Sequence, residues 1–167
     1  LGGMIAQAFA LAHPTRLDRL VLGCTSPGGL RSVKPKISRF FEMARARMQS
    51  QQDAFRIEAG FVLSESFRAQ HPEVIEQWLE LARDRPVPRV TMLLQLLAAG
   101  RHDAYTRLPK IEATTLVIAP DADRLIPPDN SHILARRIPG AELAWIRGAG
   151  HDFVTERPRE TFTIVNN

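Results

Sequence analysis

The run Thr114-Thr115-Leu116-Val117-Ile118-Ala119 does most to limit what this chain can fold into. It is β-branched and apolar without a polar alternation, which is how a strand reads when both of its faces are covered. Strands of that kind belong to parallel sheets, and the residues after Ala119 agree. Asp121 to Asp129 is a polar, proline-containing loop in which Asp129 is placed to cap a helix over Asn130–Ile138, closed by Pro139-Gly140. Ala141 to Ile146 reads as a second strand and Gly148-Ala149-Gly150-His151 as a tight loop. Glu156-Arg157 leads into a last helix over Pro158–Val165. Strands alternating with helices predict an α/β fold, a mostly parallel sheet with helices on both faces.

The same alternation opens the chain. Leu1 to Ala12 is small and apolar nearly all round, the pattern of a helix buried on most of its surface, and His13-Pro14 stops it. Leu20-Val21-Leu22 reads as a short, fully buried strand, and Ser26-Pro27-Gly28-Gly29 breaks it. From about Arg31 to Arg107 the character changes and only helical periodicity is visible. One segment carries Phe40, Phe41, Ala44 and Met48; another Phe55, Ile57, Phe61 and Val62; a third Val74, Ile75, Trp78, Leu79 and Ala82; a fourth Val90, Leu93, Leu94 and Leu97. Pro72, Pro86, Pro88 and Gly100 punctuate them. The organisation expected is a core over 1–30, a helical insertion over 31–107 and the rest of the core over 108–167.

Composition removes several classes. With 44% hydrophobic and 24% charged residues the chain is neither disordered nor fibrous. No apolar run approaches the length of a bilayer span, and no signal-peptide pattern opens the chain. The single cysteine, Cys24, excludes an internal disulfide and points to a reducing, cytoplasmic setting. The net charge of +4 gathers in Arg31, Lys34, Lys36, Arg39, Arg45 and Arg47, opposed by Glu42. Phe40, Phe41 and Met43 fall among them at helical spacing, so this reads as an amphipathic helix with a solvated basic face and no nucleic-acid partner is expected.

In open parallel sheets, ligands bind beyond the carboxyl ends of the strands. Loops leave three such ends: one after Leu22, one holding Asp121 and Asp123, one holding His151. A carboxylate and an imidazole brought together there suit proton transfer, the carboxylate orienting the ring and stabilising its charged form. Asp152 is placed to face solvent or cap the next turn. Cys24, with no base near it in sequence, reads as a small wall residue. His13 suits a helix C-terminus, and His71, His102 and His132 have no acidic or thiol partners at ligand spacing, so no metal is expected. Trp78 and the phenylalanines of the middle segment are core residues first, some of them lining an apolar pocket.

These residues resemble the α/β-hydrolase superfamily, in its esterase and 3-oxoadipate enol-lactonase-like branch. Leu1-Gly2-Gly3-Met4-Ile5-Ala6-Gln7 looks like the stretch just after the serine of a Gly-x-Ser-x-Gly nucleophile elbow. Asp123-Arg124-Leu125-Ile126-Pro127-Pro128 resembles the acid loop, and Gly148-Ala149-Gly150-His151-Asp152-Phe153 the histidine loop. The sequence departs at Pro120, where members usually have glycine.

The resemblance implies a triad in which Asp123 is the acid, in preference to Asp121, and His151 the base. The serine falls just upstream of Leu1, whose backbone N–H donates to the oxyanion hole, and Gly2 and Gly3 answer crowding beneath the elbow. It implies a helical cap over residues 31–107, hydrolysis of a small apolar ester or lactone through an acyl-enzyme, and no cofactor. C–C bond hydrolases, cofactor-free haloperoxidases, dehalogenases and non-catalytic ligand binders share the fold and stay open. As a C-terminal piece lacking the nucleophile, the chain alone is expected to be inactive and, with an apolar strand edge uncovered, poorly soluble.

Overall fold

The computed structural model describes residues 1–46, 51–84 and 88–166. The expectations placed on Arg47, Met48 and Pro86, and on the side chains of Phe40, Met43 and Ala44, lie outside the described residues. Three parallel strands form one sheet: β1 (Arg19–Gly23), β2 (Thr114–Pro120) and β3 (Glu142–Ile146), in the order β1-β2-β3. β2 is the run that the sequence marks as covered on both faces. On one side Val117 joins Leu20, Leu22, Leu108, Leu134 and Ile138; on the other Ile118 joins Ile146, Ala149 and Phe153. Each of these Val, Leu, Ile and Phe side chains contributes roughly 1.5–3 kcal/mol when withdrawn from water. α1 (Gly2–Ala12) and α7 (Asp129–Arg137) pack against the Val117 side, and α9 (Pro158–Asn166) brings Ile164 to the other.

Two apolar elements are less covered than their composition suggests. Val21 is 44% exposed, because β1 stands at the edge of the sheet and only Leu20 and Leu22 face the core. In α1 the buried residues are Gln7 and Ala10, whereas Ile5 is 60% exposed. An all-round apolar composition does not say which side finds a neighbour. Pro120 ends β2 opposite Ile146 and is not among the residues of positive φ, so the position has no need of a permissive glycine. Asp129 is the first residue of α7 and Pro128 takes the N-cap position. The carboxyl therefore acts in the first turn, on the helix dipole, and not as the cap.

Between β1 and β2 the described residues hold no strand; there lie α2 (Ile37–Ala46), α3 (Gln51–Val62), α4 (Glu65–Gln70), α5 (Pro72–Asp84) and α6 (Arg89–Arg101), followed by a 3-10 turn at Leu108–Lys110. Ser64 caps α4 by accepting from the Phe67 N–H, and Pro72 opens α5, where its missing N–H costs nothing. This helical excursion leaves and rejoins the sheet through a narrow neck. Gly29 N–H donates to the His102 carbonyl at 2.9 Å and Ala104 N–H to that of Pro27 at 2.8 Å. Gly28 and Gly29 have positive φ, and a Cβ on either would collide with His102 or Asp103. Among the described residues no helix is long and apolar enough to cross a membrane.

Candidate active site

Parallel pairing sets Gly23 beside Ile118 and Pro120 beside Ile146, so the three strands end at one edge. Their loops carry Cys24, the Asp121–Pro128 segment and the Arg147–Asp152 segment there. Two backbone bonds bring the last two loops together: Asp121 N–H to the Ile146 carbonyl at 3.3 Å and Ala122 N–H to that of Ala149 at 3.0 Å.

Asp123 and His151 meet at this edge. Asp123 Oδ1 accepts from the N–H groups of Leu125 and Ile126 at 2.7 and 2.8 Å, which orients the carboxyl group. Its Oδ2 lies 2.9 Å from Nδ1 of His151. The Asp123 side chain is 1% exposed and that of His151 is 25% exposed, so the carboxylate is out of water while the ring keeps an open side. A buried acceptor on Nδ1 holds the proton on that nitrogen and leaves Nε2 able to take another. The arrangement can move a proton.

The competing carboxylate does other work. Asp121 Oδ1 accepts from Gly148 N–H at 2.6 Å and its Oδ2 pairs with Arg147 at 3.3 Å, tying the acid loop to the histidine loop from outside. Asp152 caps α8 (Phe153–Glu156), accepting from the Thr155 N–H and hydroxyl. Cys24 is closer to the chemistry than its sequence neighbours suggest. It takes a left-handed φ of 49° and its thiol donates to the His151 carbonyl at 2.9 Å. Burial first, and then the neighbouring Asp123 charge, push that thiol far above its ordinary value. Cys24, Asp123 and His151 each offer a metal-type ligand atom within 4.8 Å of the others. Those atoms are hydrogen-bonded to one another and to the backbone.

Sequence reasoning missed two residues that hold the site. Glu156 is buried, with Oε1 accepting from Ser64 N–H at 2.7 Å and Gly150 N–H at 3.0 Å and Oε2 from the Ser64 hydroxyl at 2.5 Å. Arg124 donates to the Gly60 carbonyl at 3.3 Å, lies over the Phe61 ring, pairs with Glu42 at 3.2 Å, and its own carbonyl accepts from Arg39. Arg124 falls in the run that resembles the acid loop, but nothing local shows what it or Glu156 reaches, since every one of these partners except Gly150 lies in the helical excursion.

Leu1 precedes α1, and its carbonyl accepts from Met4 and Ile5. Of the two glycines expected to be crowded, Gly3 is: a Cβ there would strike the Thr25 side chain. Gly2 has open space around that position. Among the histidines set aside, His71 does have an acidic neighbour, with Nδ1 3.1 Å from Glu73, in an exposed pair two residues apart. His132 packs on Trp145. Members of the basic stretch are engaged within the chain: Arg31 covers Tyr105, Lys34 donates to the Gly29 carbonyl, and Arg39 reaches the Arg124 carbonyl.

This architecture is shared with solved α/β-hydrolases. An α/β hydrolase enzyme from a Medee basin deep-sea metagenome library superposes with a TM-score of 0.80 at 27% identity, covering 98% of this chain and 60% of that one. A thermophilic esterase from Thermogutta terrifontis gives 0.75 at 27% identity, covering 99% and 60%. The fold is therefore the α/β-hydrolase fold. Within it, the chain belongs to the Hydrolase_4 family, serine aminopeptidase S33, whose model matches residues 1–158. The poly(3-hydroxyalkanoate) depolymerase of Ectopseudomonas oleovorans is 34% identical over 165 residues, which are 98% of this chain and 56% of that protein. The chain thus spans a little over half the length of this curated relative.

Proposed function

We propose that the protein carrying this chain is a serine hydrolase of carboxylic esters, lactones included. The observation that carries the reading is the 2.9 Å contact between Asp123 Oδ2 and His151 Nδ1, with the other carboxylate oxygen held by two backbone N–H groups. The nucleophile is a serine immediately before Leu1. His151 Nε2 takes its proton as the hydroxyl attacks the substrate carbonyl, and Asp123 stabilises the imidazolium that forms. The tetrahedral oxyanion is held by the N–H of Leu1 and a donor from the preceding part of the protein. His151 returns the proton to the leaving alcohol, and water, activated by the same ring, releases the acyl group. Gly3 allows the elbow to pack against Thr25.

Residues 31–107 form the cap. The exposed apolar side chains of Val90, Leu93, Leu94 and Leu97 on α6 suit an apolar acyl group. The ester linkages of a poly(3-hydroxyalkanoate), the substrate in the relative's name, support an ester as the bond cleaved. No cofactor takes part, and the free Cys24 suits a reducing, cytoplasmic setting.

The test uses the full-length protein with p-nitrophenyl butyrate and a serine-directed fluorophosphonate. His151→Ala should remove turnover by three orders of magnitude or more, on the order of the losses seen when a triad member is deleted. Undiminished turnover in that variant, or no labelling of the wild type, overturns the reading.

A further inference from the structure

The backbone on each side of His151 is held to one turn of the helical excursion, directly behind it and through Glu156 ahead of it. Ahead of it, Gly150 N–H donates to Glu156 Oε1 at 3.0 Å, and the same oxygen accepts from Ser64 N–H at 2.7 Å. Behind it, Asp152 N–H donates to the Val62 carbonyl at 3.0 Å. The Ser64 hydroxyl completes the clamp at 2.5 Å from Glu156 Oε2. Gly150 allows this closeness, because a Cβ there would lie 2.7 Å from both Ser64 N and the Val62 carbonyl oxygen. Asp123 is tied to the same region, since its neighbour Arg124 donates to the Gly60 carbonyl and covers Phe61.

We propose that Glu156 is a positioning residue for His151, and that it sets the ring by locking the histidine loop to the Val62–Ser64 turn between α3 and α4. The inference rests on the hydrolase reading above. A carboxylate suits the task because it offers only acceptors, and the three groups it meets are all donors. Sheet and strand ends bring His151 near Asp123; the clamp decides how closely Nδ1 faces Oδ2. The base is thereby registered on the helical excursion, and any displacement of the α3–α4 turn carries the ring with it.

The experiment compares wild type, Glu156→Ala, Glu156→Gln and Ser64→Ala in the full-length protein, each assayed well below its own melting temperature. A ring misplaced by about an ångström costs on the order of 100-fold, so Glu156→Ala should lower kcat by about 10–100-fold. KM should stay within about twofold, since loss confined to the chemical step leaves ground-state binding alone. The acidic limb of the kcat/KM profile should move as the imidazole loses its registration against Asp123. Glu156→Gln keeps an acceptor for both N–H groups and can donate to the Ser64 hydroxyl, and it should restore most of kcat. Ser64→Ala removes one bond and should show a smaller loss of the same kind, which carries the test if Glu156→Ala does not fold.

Wild-type kcat and an unmoved acidic limb in Glu156→Ala, with only its melting temperature lowered, overturn the proposal. If the wild type itself turns over no ester, the hydrolase reading fails separately. An NMR titration of the His151 ring then decides the positioning role: a changed midpoint in Glu156→Ala supports it, an unchanged one refutes it.

Discussion

Asp123→Asn tests the site at the level of a single proton. The replacement keeps the shape of the side chain, and the surroundings dictate how the amide must turn. Two backbone donors, Leu125 N–H at 2.7 Å and Ile126 N–H at 2.8 Å, require an oxygen at the Oδ1 position. The amide NH2 is therefore forced to the Oδ2 position, 2.9 Å from Nδ1 of His151. There it donates, so Nδ1 must accept and the ring proton moves to Nε2. A ring protonated on Nε2 cannot take the proton of a nucleophile on that side. In a serine triad such a tautomer reversal costs about 10⁴ in kcat, or roughly 5 kcal/mol of transition-state stabilisation. The loss should appear in kcat for p-nitrophenyl butyrate, with KM nearly unchanged. Because both backbone bonds survive, the melting temperature should hardly move. A loss in kcat below tenfold, in a variant that folds, would refute the tautomer argument.

Two further perturbations separate neighbouring roles. Asp121→Asn keeps an acceptor for Gly148 N–H and loses only a surface pair with Arg147, so stability should fall by less than about 1 kcal/mol and kcat should stay within a factor of two; a collapse of activity there, with Asp123→Asn active, reverses the assignment of the acid. Cys24 has its thiol raised by burial and by Asp123, so the folded state keeps a proton that the unfolded chain releases above about pH 8.5. Stability should then fall as pH rises beyond that value, by up to roughly 1.4 kcal/mol per unit, and denaturant melts of Cys24→Ala across the alkaline range should lack that slope.

The sheet was readable because its central strand has both faces covered, and a strand so placed cannot alternate. Thr114–Ala119 shows this in six letters, and the structure buries Val117, Ile118 and Ala119 completely. The order of the acid and histidine loops was readable for a related reason: parallel strands place their following loops at one edge. What could not be read was which side of an apolar element finds a partner. Val21 and Ile5 are as apolar as their buried neighbours, and only the sheet order and the seating of α1 expose them. The clamp around His151 was also hidden, since Ser64 and Glu156 are 92 positions apart and neither sits in a local motif. Cys24 reaches the His151 carbonyl across 127 positions, so the absence of a base near it in sequence said nothing about its surroundings.

The neck formed by Pro27–Gly29 and His102–Ala104 bears on how such a chain can change over time. It closes a loop of about 70 residues, and doubling a loop's length raises its closure entropy by only about 0.6 kcal/mol. Helices can therefore be lengthened, shortened or exchanged beyond the neck while the strands keep their register. The α3–α4 turn and the residues that grip Arg124 are the exceptions, because an insertion there would pull on the histidine loop or the acid loop. A lineage of such chains is free to remodel most of the excursion, and is held to one geometry where the excursion grips the acid and histidine loops.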